Sequence, residues 1–409
     1  MPPEAIAPIY LDHAATTPLD PRVLEAMMPR FGARFGNPGS RVYHRGLDAE
    51  AAVSAARGQL AILLGARPVE ITFTSGATES NNLALQGLVG GWGAVGSRLL
   101  VSAIEHPSVL APARQLEARG AELHLLPVDS SGRLCLRSLE RHLADNPEGR
   151  RTLVAVMHAN NELGTIQPVD AIGALCRRHA AVFHCDASQS VGKIPVDLGE
   201  IGADLLSLSA HKLYGPMGVG ALVVRRRRPR WPVRPLVFGG GQERGVRPGT
   251  LNLPGIVGLG AAAELARGDL ETEGARLGRL TKTLLDRLRE LGGVHVNGSL
   301  AHRLPGLLNL SFDGVVAERL QQAVAPRLEI STGSACATGQ IGPSYVLQAL
   351  GLPSHRARGA IRLAIGRWTD ERQIDDAASA LSAAVRQLRA TARRAAPSAA
   401  GEATSPAGS

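Results

Sequence analysis

Aromatic residues and cysteines are both scarce in this chain of 409 residues. Aromatics make up only 3% of it, so an apolar core has to be built mainly from aliphatic side chains. Four cysteines do not make a disulfide framework at this length, and the absence of a CxxC pair excludes a zinc ribbon or a thioredoxin-type site. Because the histidines show no HxxxH pair with a nearby glutamate, we also expect no metal site.

Long apolar runs are missing too. No stretch reaches the roughly 18 residues that a membrane-spanning helix needs. The first residues lack the basic start and the apolar core of a signal peptide. The composition is otherwise that of a globular protein, with 44% hydrophobic and 20% charged residues. We therefore expect a cytoplasmic protein without a membrane partner.

Lysine is the rarest charged residue, since only Lys193, Lys212 and Lys282 occur and every other basic residue among the 45 is arginine. The net charge of +9 leaves a nucleic-acid-binding protein open as an alternative. Its best support is the basic run Arg225–Arg228 with Arg230. Prolines interrupt this run and one aromatic residue accompanies it, which is more typical of a solvated strand end. We expect no direct nucleic-acid partner. Because lysine is scarce, a lysine inside a motif is informative.

Short apolar segments alternate with amphipathic ones between about residues 50 and 225. This alternation is typical of an α/β architecture, a mostly parallel sheet with helices on both faces. After residue 255 the pattern predicts a helix, a long amphipathic helix over 271–291, and the short strands and helices of a smaller α+β unit. The expected strands of the first region are 70–75, 98–103, 122–128, 152–158, 181–186, 205–210 and 220–225, and the expected helices are 79–88, 107–119 and 169–180.

Asp186 ends one predicted strand, and Lys212 follows the end of another. The carboxyl ends of strands in an α/β sheet face the ligand crevice. An acid and a lysine that converge there fit a pyridoxal-phosphate site, in which the lysine forms a Schiff base with the cofactor aldehyde and the carboxylate pairs with the protonated ring nitrogen. The alternative is an ordinary helix cap at Asp186 and a surface lysine.

The segment 74–81 follows a predicted strand and opens a predicted helix. Its small and hydroxyl-bearing residues would offer backbone N–H groups at the positive end of a helix, an arrangement that binds phosphate. An ordinary N-cap with Thr78 and Glu79 in the first helical turn explains the same residues.

Cys336 lies among small residues in STGSACATGQ (331–340). A loop of this composition suits a nucleophile that has to travel. The other three cysteines, Cys135, Cys176 and Cys185, stand in apolar strand or helix contexts, where we expect a structural role.

Motifs spread over the chain to about residue 390 together resemble the cysteine desulfurases. This family consists of fold-type-I pyridoxal-phosphate transferases that supply sulfur for iron–sulfur clusters, tRNA thiolation and related pathways. The resemblance implies a homodimer with shared active sites, a large cofactor-binding α/β domain over 18–266, a smaller α+β domain from 1–17 and 267–392 that carries the Cys336 loop, and a disordered tail over 393–409. The motifs are YLDHAATTP (10–18), FGNPGS (35–40), FTSGATESNNLA (73–84), EHPSVL (105–110), MHANNELGTIQP (157–168), HCDASQSVGK (184–193), SAHKLYGPMGVGAL (209–222), GGGQERGVRPGT (239–250), STGSACA (331–337), PSYVLQALG (343–351) and IRLAIGR (361–367).

The resemblance implies three catalytic residues. Lys212 would hold the cofactor as a Schiff base and move protons at the substrate Cα. His106 would stack on the cofactor ring and assist proton transfer. Cys336 aligns with the cysteine that attacks the sulfur of L-cysteine and becomes a persulfide, so that L-alanine is released and an acceptor protein takes the sulfur.

The resemblance also implies which residues bind pyridoxal 5′-phosphate and the substrate. Asn161 and Arg362 would bind the substrate, and the planar fork of Arg362 suits a carboxylate. Asp186 would pair with the ring nitrogen and Gln189 would bond the phenolic oxygen. Thr250 would reach the phosphate bound by the neighbouring subunit. The remaining cofactor-binding residues are Ala77, Thr78, Ser209 and His211 on the phosphate, together with His106, Lys212 and Asn161.

The length of the loop after Cys336 and two residues that differ from the family pattern add detail to the resemblance. Eleven residues, 337–347, separate Cys336 from the end of PSYVL, which resembles the long-loop subgroup that hands sulfur to diverse protein acceptors. Gln242 stands where the family often has histidine, and Pro248 where it more often has serine, both in the loop that leads to Thr250. Selenocysteine lyase uses nearly the same site and stays an alternative, whereas a pure aminotransferase would have no use for Cys336.

Overall fold

The computed structural model describes residues 7–146, 150–227, 231–332 and 344–395. Cys336, the basic residues Arg228 and Arg230, and the predicted tail from residue 396 lie outside the described residues. The strands are β1 (Ile9–Tyr10), β2 (Ile71–Thr74), β3 (Ser97–Ser102), β4 (Glu122–Leu126), β5 (Arg151–Ala155), β6 (Val182–Asp186), β7 (Leu205–Ser209), β8 (Gly220–Val224), β9 (Val294–Val296), β10 (Leu307–Phe312), β11 (Leu328–Glu329), β12 (Ser331–Thr332) and β13 (Ala360–Ala364). The α-helices are α1 (Pro21–Met27), α2 (His44–Leu64), α3 (Ala77–Asn82), α4 (Leu88–Trp92), α5 (Pro107–Glu117), α6 (Leu136–Ala144), α7 (Val169–Arg178), α8 (Leu198–Ile201), α9 (Leu253–Arg289), α10 (Ala317–Val324), α11 (Tyr345–Ala349), α12 (Ser354–Arg358) and α13 (Glu371–Ala395).

Seven strands form the main sheet, in the order β2-β8-β7-β6-β5-β3-β4. The neighbours from β7 to β4 pair in parallel, whereas β8 is antiparallel to both β7 and β2. The predicted mostly parallel sheet is therefore confirmed, and each strand predicted between residues 70 and 225 is present within a few residues of its expected bounds.

Both faces of the inner part of this sheet are buried, because successive side chains of its inner strands enter two different cores. Val154 of β5 packs in the same apolar cluster as Ile172 of α7. Its neighbour Leu153 lies in the cluster on the opposite face, together with Val109 of α5. A strand covered on both faces needs apolar residues at every position, which is why the sequence shows continuous apolar segments here.

A second sheet, β12-β13-β10-β9, is antiparallel and forms its own core with α9, α10 and α13. The helix α9 is continuous where the sequence pattern indicates two helices. Its first half belongs to the core of the main sheet and its second half, from Leu277, to the core of the smaller sheet. The expected domain boundary at residues 266 and 267 thus falls inside α9, and the division into two domains stays a prediction.

The last described helix, α13, continues to Ala395, three residues into the predicted tail. Within the ranges given above, no helix combines the length and the apolar character required to cross a membrane.

Candidate active site

Asp186 is the last residue of β6 and is buried at the carboxyl edge of the main sheet. Its Oδ2 accepts a hydrogen bond from Asn81 Nδ2 at 2.7 Å. Its Oδ1 accepts from the backbone N–H of Ser188 at 2.9 Å and from the Ser188 hydroxyl at 2.5 Å. These donors fix the orientation of the carboxylate at the position that the sequence predicts for the acid of a cofactor site.

Lys212 ends a 3₁₀ turn, Ala210–Lys212, that follows directly on β7, the neighbour of β6. Its Nζ donates to the carbonyl oxygens of Ala14 at 2.6 Å and of Ala15 at 2.5 Å. The N-terminal motif around Ala14 therefore holds the lysine in place. The expectation that an acid and a lysine follow two strands of one sheet agrees with this geometry.

His106 caps the N-terminus of α5. The backbone N–H of Ser108 donates to His106 Nδ1 at 3.1 Å, so this nitrogen acts as an acceptor and the neutral ring carries its proton on Nε2. Burial lowers the pKa of His106, the negative charge of Asp186 opposes this shift, and the positive charge of Lys212 adds to it. At neutral pH a neutral imidazole thus lies within electrostatic range of both the acid and the lysine.

The turn between β2 and α3 provides a cradle for an anion. Gly76 has φ 150° and ψ −176°, a conformation that residues with a side chain rarely adopt. A Cβ placed on Gly76 would lie 3.6 Å from Ser209 Oγ, in ordinary van der Waals contact, so the hydroxyl lies beside the turn. Ala77 and Thr78 begin a helical run that continues to residue 92. The N–H groups at this helix start, together with the hydroxyls of Thr78 and Ser209, fit a phosphate group.

Gln189 and His211 lie around the same N-terminal motif. Gln189 is buried, and its Nε2 donates to the carbonyl oxygen of Ala14 at 2.9 Å. His211 Nδ1 lies 3.1 Å from the hydroxyl of Thr16. Burial lowers the pKa of His211 to about 4, and the positive charges of Lys212 and Lys193 contribute to this shift. His211 is therefore neutral at physiological pH.

Arg362 is a buried cation, with only 2% of its surface exposed. It lies on β13, where Nη2 donates to Asp12 Oδ1 at 2.7 Å and Nη1 donates to the carbonyl oxygen of Asn161 at 2.9 Å. Its buried Nε has no hydrogen-bond partner among the described residues. A guanidinium with one unused donor fits the carboxylate of a substrate.

Thr250 is exposed on the loop that precedes α9. Gln242, one of the two departures from the family pattern, accepts a hydrogen bond from the backbone N–H of Gly249 at 3.0 Å, so it shapes the turn before Thr250. On the same loop, Arg247 forms an ion pair with Glu79 of α3 at 2.8 Å. The loop is thus tied to the helix of the anion cradle, although Thr250 itself faces outward.

Described residues flank the Cys336 segment in the chain, β12 before it and Ser344 after it. On one side β12 pairs with β13, and Ser331 lies opposite Arg362. On the other side Ser344 donates its hydroxyl to Glu162 Oε2 at 2.6 Å, and Tyr345 donates to the carbonyl oxygen of Glu105 at 2.6 Å. Both acids are sequence neighbours of candidate site residues, since Glu162 follows Asn161 and Glu105 precedes His106.

The other cysteines divide into two groups. Cys176 and Cys185 are buried, and burial raises the pKa of both thiols, which agrees with the expected structural role. Cys135 is exposed at the N-cap of α6, which does not agree with the structural role expected of it. Its neighbours are apolar in sequence, but the cap position turns its side chain toward solvent.

Several residues that contact the site have no assigned role in the sequence interpretation. Asn81 and Ser188 donate hydrogen bonds to Asp186. Asp12 accepts a hydrogen bond from Arg362, and the carbonyl oxygen of Ala14 accepts one from Lys212. The position of Asn81 has a signal in the sequence, because it lies four residues after Ala77 and therefore on the same face of the predicted helix. Ala14 acts through its backbone carbonyl, which no side-chain pattern reveals.

Comparisons with known proteins agree with this geometry. The family model described as aminotransferase class-V matches residues 9–376. A cysteine desulfurase IscS of Proteus mirabilis (strain HI4320) is 46% identical over 384 residues, which cover 93% of this chain and 94% of that protein. The chain belongs to the cysteine desulfurases. Like the other members of this family, the enzyme depends on pyridoxal 5′-phosphate.

Solved structures place the desulfurase in the same fold. A NifS-like protein has 35% sequence identity and a TM-score of 0.85, with 93% of this chain and 99% of that chain covered. SspA in complex with cysteine has 36% identity and a TM-score of 0.77, with 87% and 98% covered. The expected fold-type-I architecture is therefore confirmed.

Proposed function

We propose that this desulfurase converts L-cysteine into L-alanine and passes the sulfur, as a persulfide on Cys336, to an acceptor protein. The observation that carries the proposal is the grouping of Asp186, His106 and Lys212 at the carboxyl edge of the main sheet. A solved relative, SspA, is in complex with cysteine, which supports cysteine as the substrate.

The bound cofactor would supply an electron-poor ring that takes up the charge of the substrate Cα carbanion. Asp186 would hold the ring nitrogen, and Gln189 would donate to the phenolic oxygen. The small residues and hydroxyls at the start of α3 support phosphate binding there. The phosphate would be held by Ala77, Thr78, Ser209 and His211.

Lys212 would remove the proton from the substrate Cα and return a proton later in the cycle. It needs a neutral amine for the first step. His106, whose pKa is lowered by burial, would stay neutral and assist proton transfer through Nε2. Lys212 and His106 would thus both take part in the proton transfers.

Arg362 would bind the substrate carboxylate. Its unpartnered Nε supplies a donor, while Asp12 and the carbonyl of Asn161 keep the guanidinium plane in a fixed orientation. A charge-assisted hydrogen bond to a carboxylate would orient the substrate before any bond changes.

The thiolate of Cys336 would attack the sulfur of the substrate. An S–S bond forms, the Cβ–S bond of the substrate breaks, and its electron pair stays on Cβ, which takes up a proton to become the methyl group of alanine. Cys336 is left as a persulfide, whose outer sulfur passes to a thiol of the acceptor. The step requires a thiolate, and a nearby cationic group would favour one.

Sequence spacing allows Cys336 to reach this position. It follows Thr332 by four residues, so its Cα cannot lie more than about 14 Å from that of Thr332. Thr332 belongs to β12, which pairs with β13 beside Arg362. The tether therefore supports an attack on a substrate bound at Arg362.

The active enzyme would be a homodimer in which Thr250 of one protomer reaches the cofactor phosphate of the other. Thr250 is exposed, which supports a role outside its own protomer. Large apolar side chains are also exposed in two segments, near Val42 and near Phe238. Exposed apolar surface of this kind is typical of a protein–protein interface.

The acceptor would be a cytoplasmic protein of iron–sulfur cluster assembly or tRNA thiolation. The long spacing 337–347 supports direct transfer to a protein rather than release of free sulfide. The curated relative carries the name cysteine desulfurase IscS, which supports placement in the same group.

The test is an assay of alanine and sulfide from L-cysteine in the presence of a thiol, with wild type, Lys212→Ala and Cys336→Ala. Lys212→Ala should lose the normal visible band of the bound cofactor and all turnover. Cys336→Ala should keep the cofactor band and form no persulfide. Release of sulfide by Cys336→Ala at the wild-type rate would show that the transfer does not pass through Cys336.

A further inference from the structure

Lys193 lies beside the active site without a role in the mechanism above. Its Nζ donates to Gln189 Oε1 at 3.1 Å. The same glutamine donates through Nε2 to the carbonyl oxygen of Ala14, which also accepts from Lys212. A chain of hydrogen bonds therefore joins Lys193 to the catalytic lysine through Gln189 and Ala14.

Two contacts, with Lys193 and with the carbonyl oxygen of Ala14, fix which way the amide of Gln189 points. A charged lysine can only donate, so the amide must present its oxygen to it. The NH₂ group then faces the opposite direction, where one of its two protons bonds Ala14 and the other remains for a ligand. Without Lys193, the bond to Ala14 alone would hold the amide in this orientation.

The fold holds Lys193 where it can make this contact. Gly192 has φ +77°, and a Cβ at this position would lie 3.0 Å from the side chain of Leu213, so the backbone packs closely against the segment after β7. A small cavity of about 20 Å³ adjoins Lys193 and has room for about one water molecule. The fold thus fixes the position of Lys193 beside the site, and Lys193 is not an exposed surface side chain.

Charged and titratable groups surround Lys193 on several elements. Burial lowers the pKa of Lys193 to about 7, the positive charges of Lys212 and Arg362 contribute, and Glu273 of α9 opposes the shift. The groups that interact with Lys193 are His13, His211, Lys212, Glu273 and Arg362.

We infer that Lys193 is a positioning residue that fixes the Gln189 amide with its NH₂ group toward the phenolic oxygen of the cofactor. This inference rests on the proposed role of Gln189. Donation from Gln189 stabilises the ionised phenolic oxygen. Loss of Lys193 should therefore raise the pH at which the visible band of the bound cofactor changes.

The experiment uses the full-length protein loaded with pyridoxal 5′-phosphate and records its visible spectrum as a function of pH. Lys193→Met removes the donor and the charge at similar volume, and it should raise the spectral midpoint by about half a pH unit or more. Lys193→Arg keeps a cationic donor and should restore most of the wild-type value. The matched control is Lys282→Met, since Lys282 lies on the surface with 78% of its side chain exposed and should not shift the midpoint.

A double-mutant cycle separates positioning from a general structural effect. In a Gln189→Ala background, Lys193→Met should cause less than half of the shift that it causes in wild type, because the amide that it orients is gone. Lys193→Ala carries the same test if Lys193→Met does not fold. An unchanged midpoint in Lys193→Met, or an equal shift in the Gln189→Ala background, overturns the inference.

A turnover assay on the same wild-type sample keeps the two proposals distinct. If wild type forms alanine from cysteine and Lys193→Met leaves the midpoint unchanged, the positioning role alone is wrong. If wild type binds the cofactor but does not act on cysteine, the proposed function is wrong, and the spectral shift still decides the role of Lys193.

Discussion

Glu162 is a buried carboxyl group between the substrate site and the start of α11. Its Oε2 accepts the hydroxyl of Ser344 at 2.6 Å, and its own N–H donates to Asn160 Oδ1. Burial raises the pKa of Glu162 to about 7, while Ser344 and the positive charge of Arg362 oppose the shift. At mildly acidic pH the folded protein therefore holds a proton on Glu162 that the unfolded chain does not hold.

This difference makes stability depend on pH. Between about pH 4.5 and pH 7 the folded state binds more protons at Glu162 than the unfolded state, so stability falls as pH rises through this window. The contribution is at most about 3 kcal/mol. In Glu162→Gln the side chain cannot ionise, and we expect the decrease over this window to be smaller by about that amount when urea unfolding is followed at several pH values.

The control for this prediction is Glu290→Gln, which changes an exposed carboxyl group at the end of α9. It should leave the pH dependence of wild type intact. Equal pH profiles for Glu162→Gln and wild type would contradict the prediction.

Individual residues were predictable from sequence where their chemistry is carried by a side chain at a strand end. Asp186 and Lys212 belong to this class, and the sheet brings both to the expected edge. Ala14 contributes a carbonyl oxygen from a segment 198 residues away from Lys212, and spacing along the chain contains no signal for such a contact. Because lysines are rare in this chain, Lys193 stands out in the sequence, but its contact with Gln189 depends on the turn that Gly192 permits.

At the scale of elements, the junction of β2 and α3 depends on one glycine. Gly76 has a positive φ, and an alanine there would be strained by about 1–3 kcal/mol. We expect Gly76→Ala to destabilise the protein by this amount and to weaken binding of pyridoxal 5′-phosphate by about tenfold or more. Urea unfolding of the cofactor-free protein and a cofactor titration measure the two effects.

Gly58→Ala offers a matched comparison within α2. A Cβ at Gly58 has no neighbouring atom within 4 Å, and the residue lies inside a regular helix. This substitution should stabilise the protein by about 0.5–1 kcal/mol. A Gly76→Ala protein that is as stable as wild type and binds the cofactor equally well would argue against a glycine-dependent cradle.

Elements that are buried on two faces were the easiest to predict, because their sequence is continuously apolar. The strand β13 has the same property, yet its sequence, AIRLA, includes Arg362, and a charged residue in a buried strand hides the pattern. The helix α9 was predicted as two pieces, since several glycines interrupt its apolar periodicity. Close packing explains one of them, because a Cβ at Gly260 would lie 2.6 Å from the Cα of Ala56 in α2.

At the scale of the whole molecule, exposed apolar side chains point to association. Val42 is 95% exposed and Phe238 is 87% exposed, and further apolar residues are exposed near each of them. We expect the double substitution Val42→Glu with Phe238→Glu to shift the proposed dimer toward monomer in sedimentation velocity. Turnover should fall with the dimer fraction, because Thr250 would no longer reach a second protomer.

Val95→Glu serves as the control, since Val95 is 82% exposed in the short connection between α4 and β3 and not in either segment. It should leave the dimer intact. A double variant that remains fully dimeric would place the interface elsewhere.

The helix α9 has a consequence for how the molecule can be divided. Leu259 packs in one core and Leu284 in the other, with no break in the helix between them. A chain cut between residues 266 and 267 would break this continuous helix and would separate Leu11 from the core of the smaller sheet, to which it belongs. Because α9 and Leu11 couple the two cores, the two sheets should unfold in one cooperative transition, and the fragment from residue 267 should not be obtained as an independently folding protein.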